Sequence, residues 1–214
     1  MRRTDRHTSE ATPGSVVMAE ITLRFGGRRL NGRVYWPQAN AADTGSPLIF
    51  VPTLTESGVA DRFCRLLCSA AAAIVLAVPG TRSTDHDYQL AALGWAVEHS
   101  GELGAHPARL MVAGEGAGGA HAARLAICAR DIGWPRLRRQ ILVHPSFTQA
   151  CPMPLLLTGV APATVISSDT RIDDGSAYAA RLRASEIEVD VLHYSPPILP
   201  GHDDLSAALV GGKR

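Results

Sequence analysis

The 214-residue sequence predicts an α/β protein with a mostly parallel central sheet and helices on both faces of that sheet. Short apolar runs alternate along the chain with longer segments whose apolar residues recur at spacings of three and four. This is the pattern of buried strands alternating with amphipathic helices. The chain also starts with an antiparallel strand pair, because two strand-like segments flank Gly26-Gly27, a dipeptide that supplies the positive φ of a tight turn.

The order of elements follows from these patterns. The opening strands are expected at 15–25 and 30–36. The apolar runs that follow predict buried parallel strands at 47–51, 73–78, 109–113, 140–143 and 163–167. The amphipathic segments predict helices at 61–72, 87–99, 117–131 and 174–185. A last strand at 187–194 and a closing helix at 203–210 complete the prediction.

Composition and charge narrow the class of protein. With 46% hydrophobic and 19% charged residues, the sequence predicts one globular domain over 15–214, preceded by a polar tail over 1–14. The formal net charge of +1 gives no electrostatic reason to expect nucleic acid as a partner. The polar start and the absence of an apolar run of about 18 residues predict a cytoplasmic protein without a membrane span.

The cysteines and histidines do not form a pattern of metal ligands. Cys64 and Cys68 are four residues apart and predict the buried face of a helix, and the sequence contains no CxxC pair. We therefore expect reduced core thiols, and neither a metal nor a cofactor. His106 and His121 are expected at the surface or at helix boundaries, because no carboxylate or second histidine stands at ligand spacing from them.

The most informative segment is Gly114–Gly119, which reads GEGAGG between a predicted strand and a predicted helix. This is where α/β enzymes hold a nucleophile or a phosphate group, yet the segment has neither serine nor cysteine. Its glycines also spell GxGxxG, the dinucleotide-binding pattern. That pattern normally follows the first strand and precedes an acidic residue at the end of the next one, whereas here the next strand ends in VHP. Nucleotide binding is therefore the weaker interpretation.

Residues 109–131 resemble, without a gap, the nucleophile-elbow segment of the hormone-sensitive-lipase type of α/β-hydrolase, a family of esterases and lipases, in which a strand leads into GDSAGG and a helix. Further similarity covers 95–110, 135–145 and 163–202. The resemblance implies an α/β-hydrolase fold from about residue 46 onward. It assigns the catalytic aspartate to Asp169, the catalytic histidine to His202 and the serine to Gly116.

Three departures from that family bear on activity. The first is Gly116 itself, because without a side-chain oxygen no acyl-enzyme can form. The second is the loop at 50–58, which lacks the family's HGGG glycines and contains Pro52, a residue without an N–H to donate. Backbone support for an oxyanion would then come from Ala117 and Gly118 alone. The third is the connection at 145–162, which is too short for the family's cap domain, so we expect no cap and a shallow cleft.

The sequence therefore predicts an inactive, esterase-like pseudo-hydrolase that binds a small acyl-ester-like ligand or a protein partner. The alternative is a weak carboxylic-ester hydrolase in which Asp169 and His202 serve an unconventional nucleophile. Glu115, Ser57 and an activated water are the candidates for that nucleophile. An unpaired edge on the last strand would also allow a homodimer.

Overall fold

The structure is a computed structural model that describes residues 16–38, 45–53, 58–79, 86–168 and 174–194. The elements in chain order are β1 (Val16–Phe25), β2 (Arg28–Pro37), β3 (Ser46–Thr53), α1 (Gly58–Ala71), β4 (Ile74–Pro79), α2 (His86–Glu98), α3 (Ser100–Leu103), β5 (Ala105–Glu115), α4 (Ala117–Ile132), β6 (Arg139–Val143), β7 (Ala163–Ser168), α5 (Gly175–Ala184) and β8 (Val189–Tyr194). The predicted tail and the predicted closing helix lie outside the described residues.

The strands form one sheet in the order β1-β2-β4-β3-β5-β6-β7-β8. β2 pairs antiparallel with both β1 and β4, and the other neighbours are parallel. Gly26 and Gly27 form the turn between β1 and β2 with φ values of 53° and 74°, as expected. The carboxyl ends of the parallel strands meet at one side of the sheet, which we call the C-terminal edge. The predicted mixed, mostly parallel sheet is confirmed.

Helices cover both faces of the sheet, and β3 shows how its side chains are divided between them. Leu48 and Phe50 belong to the core cluster that includes buried residues of α2, α4 and α5. Ile49 and Val51 belong to a second cluster that includes the buried face of α1. Because successive strand residues point to opposite faces, this alternation fixes which helix each side chain meets. The two faces are called the α4 face and the α1 face below.

Histidine and cysteine positions agree with the sequence in part. Cys64 and Cys68 are fully buried on α1, as expected, and all the cysteines are free. His106 is exposed. The expectation for His121 was wrong, because it lies inside α4 and only 4% of it is exposed. Burial lowers the pKa of this imidazole, which favours its neutral form.

The connection from β6 to β7 packs directly onto the sheet. Residues 144–162 are all described, and they contain neither a helix nor a strand. Cys151, Leu157 and Val160 of this segment are buried, and the last two belong to the core cluster on the α4 face. A segment without helix or strand therefore covers this part of the core, and it contains no cap domain. Within the described residues no helix is both long and apolar enough to cross a bilayer.

Candidate active site

Gly116 forms the sharp turn between β5 and α4 at the C-terminal edge. Its backbone angles are φ 57° and ψ −124°, which correspond to the first central residue of a type II′ turn. The Gly116 N–H donates to the Val143 carbonyl at 2.9 Å, and the Gly116 carbonyl accepts from the N–H groups of Gly119 and Ser146, both at 3.0 Å. The chain thus has the backbone of a nucleophile elbow at the position assigned to the serine.

The neighbouring glycines are required by the close packing of this turn. A Cβ atom on Gly114 would overlap the Gly118 carbonyl and lie 2.7 Å from the Gly119 nitrogen. A Cβ on Gly119 would lie 3.2 Å from both the Gly114 oxygen and the Cα of Pro145. The first and last glycines of the GxGxxG spacing therefore have a steric explanation in the strand-turn-helix contact.

Gly116 differs from these glycines because the described residues leave room for a side chain at its Cβ position. A Cβ built on Gly116 meets no atom of the described residues within 4 Å. Its glycine is therefore favoured only by the positive φ, which side chains tolerate at a cost of about 1–3 kcal/mol. A serine at this position would project its oxygen into open space above the C-terminal edge.

The first turn of α4 lies below that space. Ala117 and Gly118 are its first two residues, and N–H groups at a helix start have no partner within the helix. Pro52 approaches this turn from the end of β3, with its carbonyl oxygen 3.3 Å from the Cβ position of Gly118. Pro52 therefore brings an acceptor next to the turn and has no N–H to contribute to an oxyanion hole. The following residues, 54–57, which include Ser57, lie outside the described residues.

Asp174 connects the loops that follow β6 and β7. Its carboxylate Oδ2 accepts a hydrogen bond from the Phe147 N–H at 2.7 Å, and its own N–H donates to the Pro145 carbonyl at 3.1 Å. Its carbonyl accepts from the Tyr178 N–H at 2.9 Å in the first turn of α5. The sequence indicated Asp174 only as a helix start, and no local pattern points to its contact with the β6 loop.

The other predicted site residues are only partly described. Glu115 is the last residue of β5, half-buried and in register with Val143 of β6. Asp169 and His202 lie outside the described residues, so Gly116 is the one predicted triad position whose geometry is described. No group of three histidine, cysteine, aspartate or glutamate side chains with metal-binding geometry occurs among the described residues.

Comparisons with known proteins agree with this geometry. A family model of the alpha/beta hydrolase fold matches residues 50–155. Esterase LipI of Mycobacterium tuberculosis is 31% identical over 190 residues, which cover 83% of this chain and 56% of LipI. Carboxylesterase NlhH of the same species is 28% identical over 225 aligned residues, covering 79% of this chain and 70% of NlhH. The chain thus spans little more than half the length of LipI.

Solved structures show the same fold. A thermostable esterase from Pseudomonas putida has a TM-score of 0.77 at 22% identity, covering 94% of this chain and 81% of that structure. A hyperthermophilic esterase from the archaeon Pyrobaculum calidifontis also has a TM-score of 0.77, at 21% identity, covering 91% of this chain and 86% of the other. The sheet and the elbow define an α/β hydrolase. Together with the sequence matches, they show that the chain belongs to the hormone-sensitive-lipase type of the α/β-hydrolase family.

Proposed function

We propose that this chain is a pseudo-hydrolase, which keeps the elbow backbone of its esterase relatives but binds a ligand without cleaving it. The observation that carries the proposal is the backbone of Gly116, which adopts the elbow conformation without a side chain that could attack an ester. In the protease subtilisin, loss of the catalytic serine lowers kcat by about a millionfold. We therefore expect the protein to hydrolyse esters no faster than they hydrolyse without it.

Two further features support binding over catalysis. The Pro52 carbonyl beside α4 gives an acceptor where the family places N–H donors, so a developing oxyanion would have weak support. The described connection at 144–162 contains no cap domain, the part of the family's enzymes that usually forms the acyl pocket. The ligand is then a small acyl-ester-like molecule or a partner protein that docks at the C-terminal edge. The free cysteines support a reducing, cytoplasmic location.

The competing proposal is a weak carboxylic-ester hydrolase. It assigns acid-base work to Asp169 and His202 and the attack to Glu115, Ser57 or a water molecule. The position of Glu115 favours it, because this carboxylate-bearing residue ends β5 directly before the elbow. A residue that only supports the turn would also be half-buried at the end of the strand. The position of Glu115 alone therefore does not carry this proposal.

The test is hydrolysis of p-nitrophenyl acetate and butyrate by the full chain and by Gly116→Ser, Gly116→Ala and His202→Ala. We expect the wild-type rate to equal the rate without protein, and only Gly116→Ser to gain activity. Gly116→Ala is the matched control, because it adds the same Cβ strain without a hydroxyl. Since one lost oxyanion donor costs about 10²–10³ in kcat, Gly116→Ser should remain at least that far below an intact esterase.

The opposite result is equally clear. Wild-type turnover that disappears in His202→Ala would overturn the pseudo-hydrolase proposal. A second loss in Glu115→Gln, with Ser57→Ala unchanged, would then identify the attacking carboxylate.

A further inference from the structure

A polar cavity lies on the α1 face of the sheet, separate from the elbow. It has a volume of about 230 Å³ and opens near the carboxyl ends of β3 and β4. Thr53 lines it, whereas the preceding residue, Pro52, lies next to Gly118 of the elbow. Because successive strand residues point to opposite faces, β3 stands between the cavity and the first turn of α4.

The cavity wall is built from five elements, and four of them, β1, β2, β3 and α1, contribute charged or polar side chains. These are Glu20, Asn31, Arg33, Tyr35, Thr53 and Asp61. The antiparallel register of β1 and β2 sets Glu20 directly opposite Arg33, and the first turn of α1 adds Asp61. None of these polar residues was singled out by its local sequence, because the cluster arises only from strand pairing and helix packing.

Each charged side chain of the wall lies beside an opposite charge, and for Asp61 this is Arg65, which is outside the wall. The Tyr35 hydroxyl donates to Asp61 Oδ1 at 3.0 Å, and Arg65 Nε donates to Asp61 Oδ2 at 2.8 Å. Glu20 and Arg33 approach to 3.6 Å, which is an ion pair beyond normal hydrogen-bond length. A third group that lies beside the pair can hydrogen-bond to both the guanidinium and the carboxylate.

A hydroxyl group is the chemical group that can bridge such a pair from the side. It accepts a hydrogen bond from the guanidinium and donates one to the carboxylate at the same time. An ammonium ion would satisfy the carboxylates of Glu20 and Asp61 but would be repelled by Arg33. A phosphate or carboxylate would satisfy Arg33 but would face both acids.

We propose that this cavity binds a small neutral polyhydroxy compound. Its volume is that of roughly seven to eight water molecules, which sets the ligand at the size of glycerol up to a five-carbon polyol. For a ligand of this size we expect a Kd of about 1–10 mM. The proposal concerns a site apart from the elbow and does not depend on whether the chain hydrolyses esters.

The test is a titration of the ¹⁵N-labelled full chain with xylitol, followed by amide chemical shifts. We expect saturable shifts at the amides of Arg33 and Ala60, with the Gly116 amide unchanged. Ethylammonium chloride and sodium phosphate, titrated in the same way, are expected to bind at least about tenfold more weakly than xylitol. Glu20→Ala should weaken xylitol binding about tenfold, because it removes one end of the hydroxyl bridge.

A pair of leucine substitutions on α1 tests the location. Ala60 lines the cavity, so Ala60→Leu fills it and should weaken binding more than about tenfold. Arg62 is exposed on the same helix outside the cavity wall, so Arg62→Leu should bind like wild type and control for folding. No saturation by about 100 mM xylitol, tighter binding of either ion, full binding by Ala60→Leu or shifts centred on Gly116 would each overturn the proposal.

Discussion

The Ser146 N–H donates a hydrogen bond to the carbonyl oxygen of Gly116 at 3.0 Å. On its other side, the Gly116 N–H donates to Val143 at 2.9 Å, so both backbone polar groups of the elbow residue are bonded to the chain at and after β6. Main-chain hydrogen bonds therefore hold the turn on both sides of Gly116. They explain how a glycine adopts the elbow conformation at this position.

Gly116→Ala and Gly116→Ser should fold with small and equal losses of stability. The positive φ of 57° costs each side chain about 1–3 kcal/mol, whereas no described residue lies close enough to the Cβ position to add to that cost. Urea denaturation of the two variants measures this. A loss well above 3 kcal/mol, or a large difference between the variants, would show that the space at the elbow is occupied.

Gly114→Ala should be far more harmful, although it is the same substitution two residues away. Its Cβ would overlap the Gly118 carbonyl, and backbone atoms of the elbow would have to move. We expect a loss of about 3 kcal/mol or more in the free energy of unfolding. Equal stability of Gly114→Ala and Gly116→Ala would refute the steric account of the glycine spacing.

Asp174→Ala should loosen the connection between the β6 and β7 loops. The substitution leaves the Phe147 N–H without its carboxylate acceptor, which costs about 1–3 kcal/mol. Asp174→Asn keeps an acceptor oxygen and should lose about half as much or less. Amide hydrogen exchange at Phe147, together with urea denaturation, distinguishes the two. Unchanged exchange in Asp174→Ala would mean that the bond contributes little in solution.

Asp61 should make the protein more sensitive to acid. Burial by itself raises the pKa of this carboxyl, but hydrogen bonds from Arg65 and Tyr35 outweigh burial and lower it below its usual 3.8. The unfolded chain then binds the proton more readily, so this stabilisation is present above the unfolded pKa and is lost as pH falls through the folded pKa.

The corresponding measurement is stability against pH for wild type and Asp61→Asn. The difference in unfolding free energy should be largest near neutral pH and should shrink between about pH 4 and pH 2. A difference that stays constant over this range would contradict the ion-pair explanation. Arg62→Asn, an exposed change in the same helical turn, serves as the control.

The native thiols should react slowly with Ellman's reagent. Burial raises the pKa of Cys64 and Cys68 to about 12, so almost no thiolate is present at neutral pH. Cys128 is half-buried and its pKa is also raised, and we expect it to react first. Rapid modification of Cys64 in the folded protein would contradict the packing of α1.

The fold was largely predictable because its signals are local. Gly26-Gly27 and the alternating apolar runs predicted the hairpin and the parallel strands. The beginning of β5 was missed, since residues 106–109 are exposed and carry no apolar pattern. The four-residue helix α3 was missed as well, because it is a single turn ended by Gly104 in the left-handed conformation.

The candidate site was predictable only where its parts are adjacent in sequence. The elbow follows from six consecutive residues, and the structure has the elbow there. The bond between Phe147 and Asp174 joins residues 27 apart, and the cavity wall depends on the register that sets Glu20 opposite Arg33. Such contacts exist only after folding, and no spacing along one segment encodes them.

The room that the described residues leave at Gly116 also allows a side chain introduced there to be labelled chemically. A cysteine placed there would stand at the start of α4, where the helix dipole lowers a thiol pKa, while burial holds the native thiols largely protonated. One introduced residue would therefore accept a fluorophore or a spin label in preference to the native cysteines. Position 116 can in this way become an attachment point for a probe that reports on this edge of the sheet.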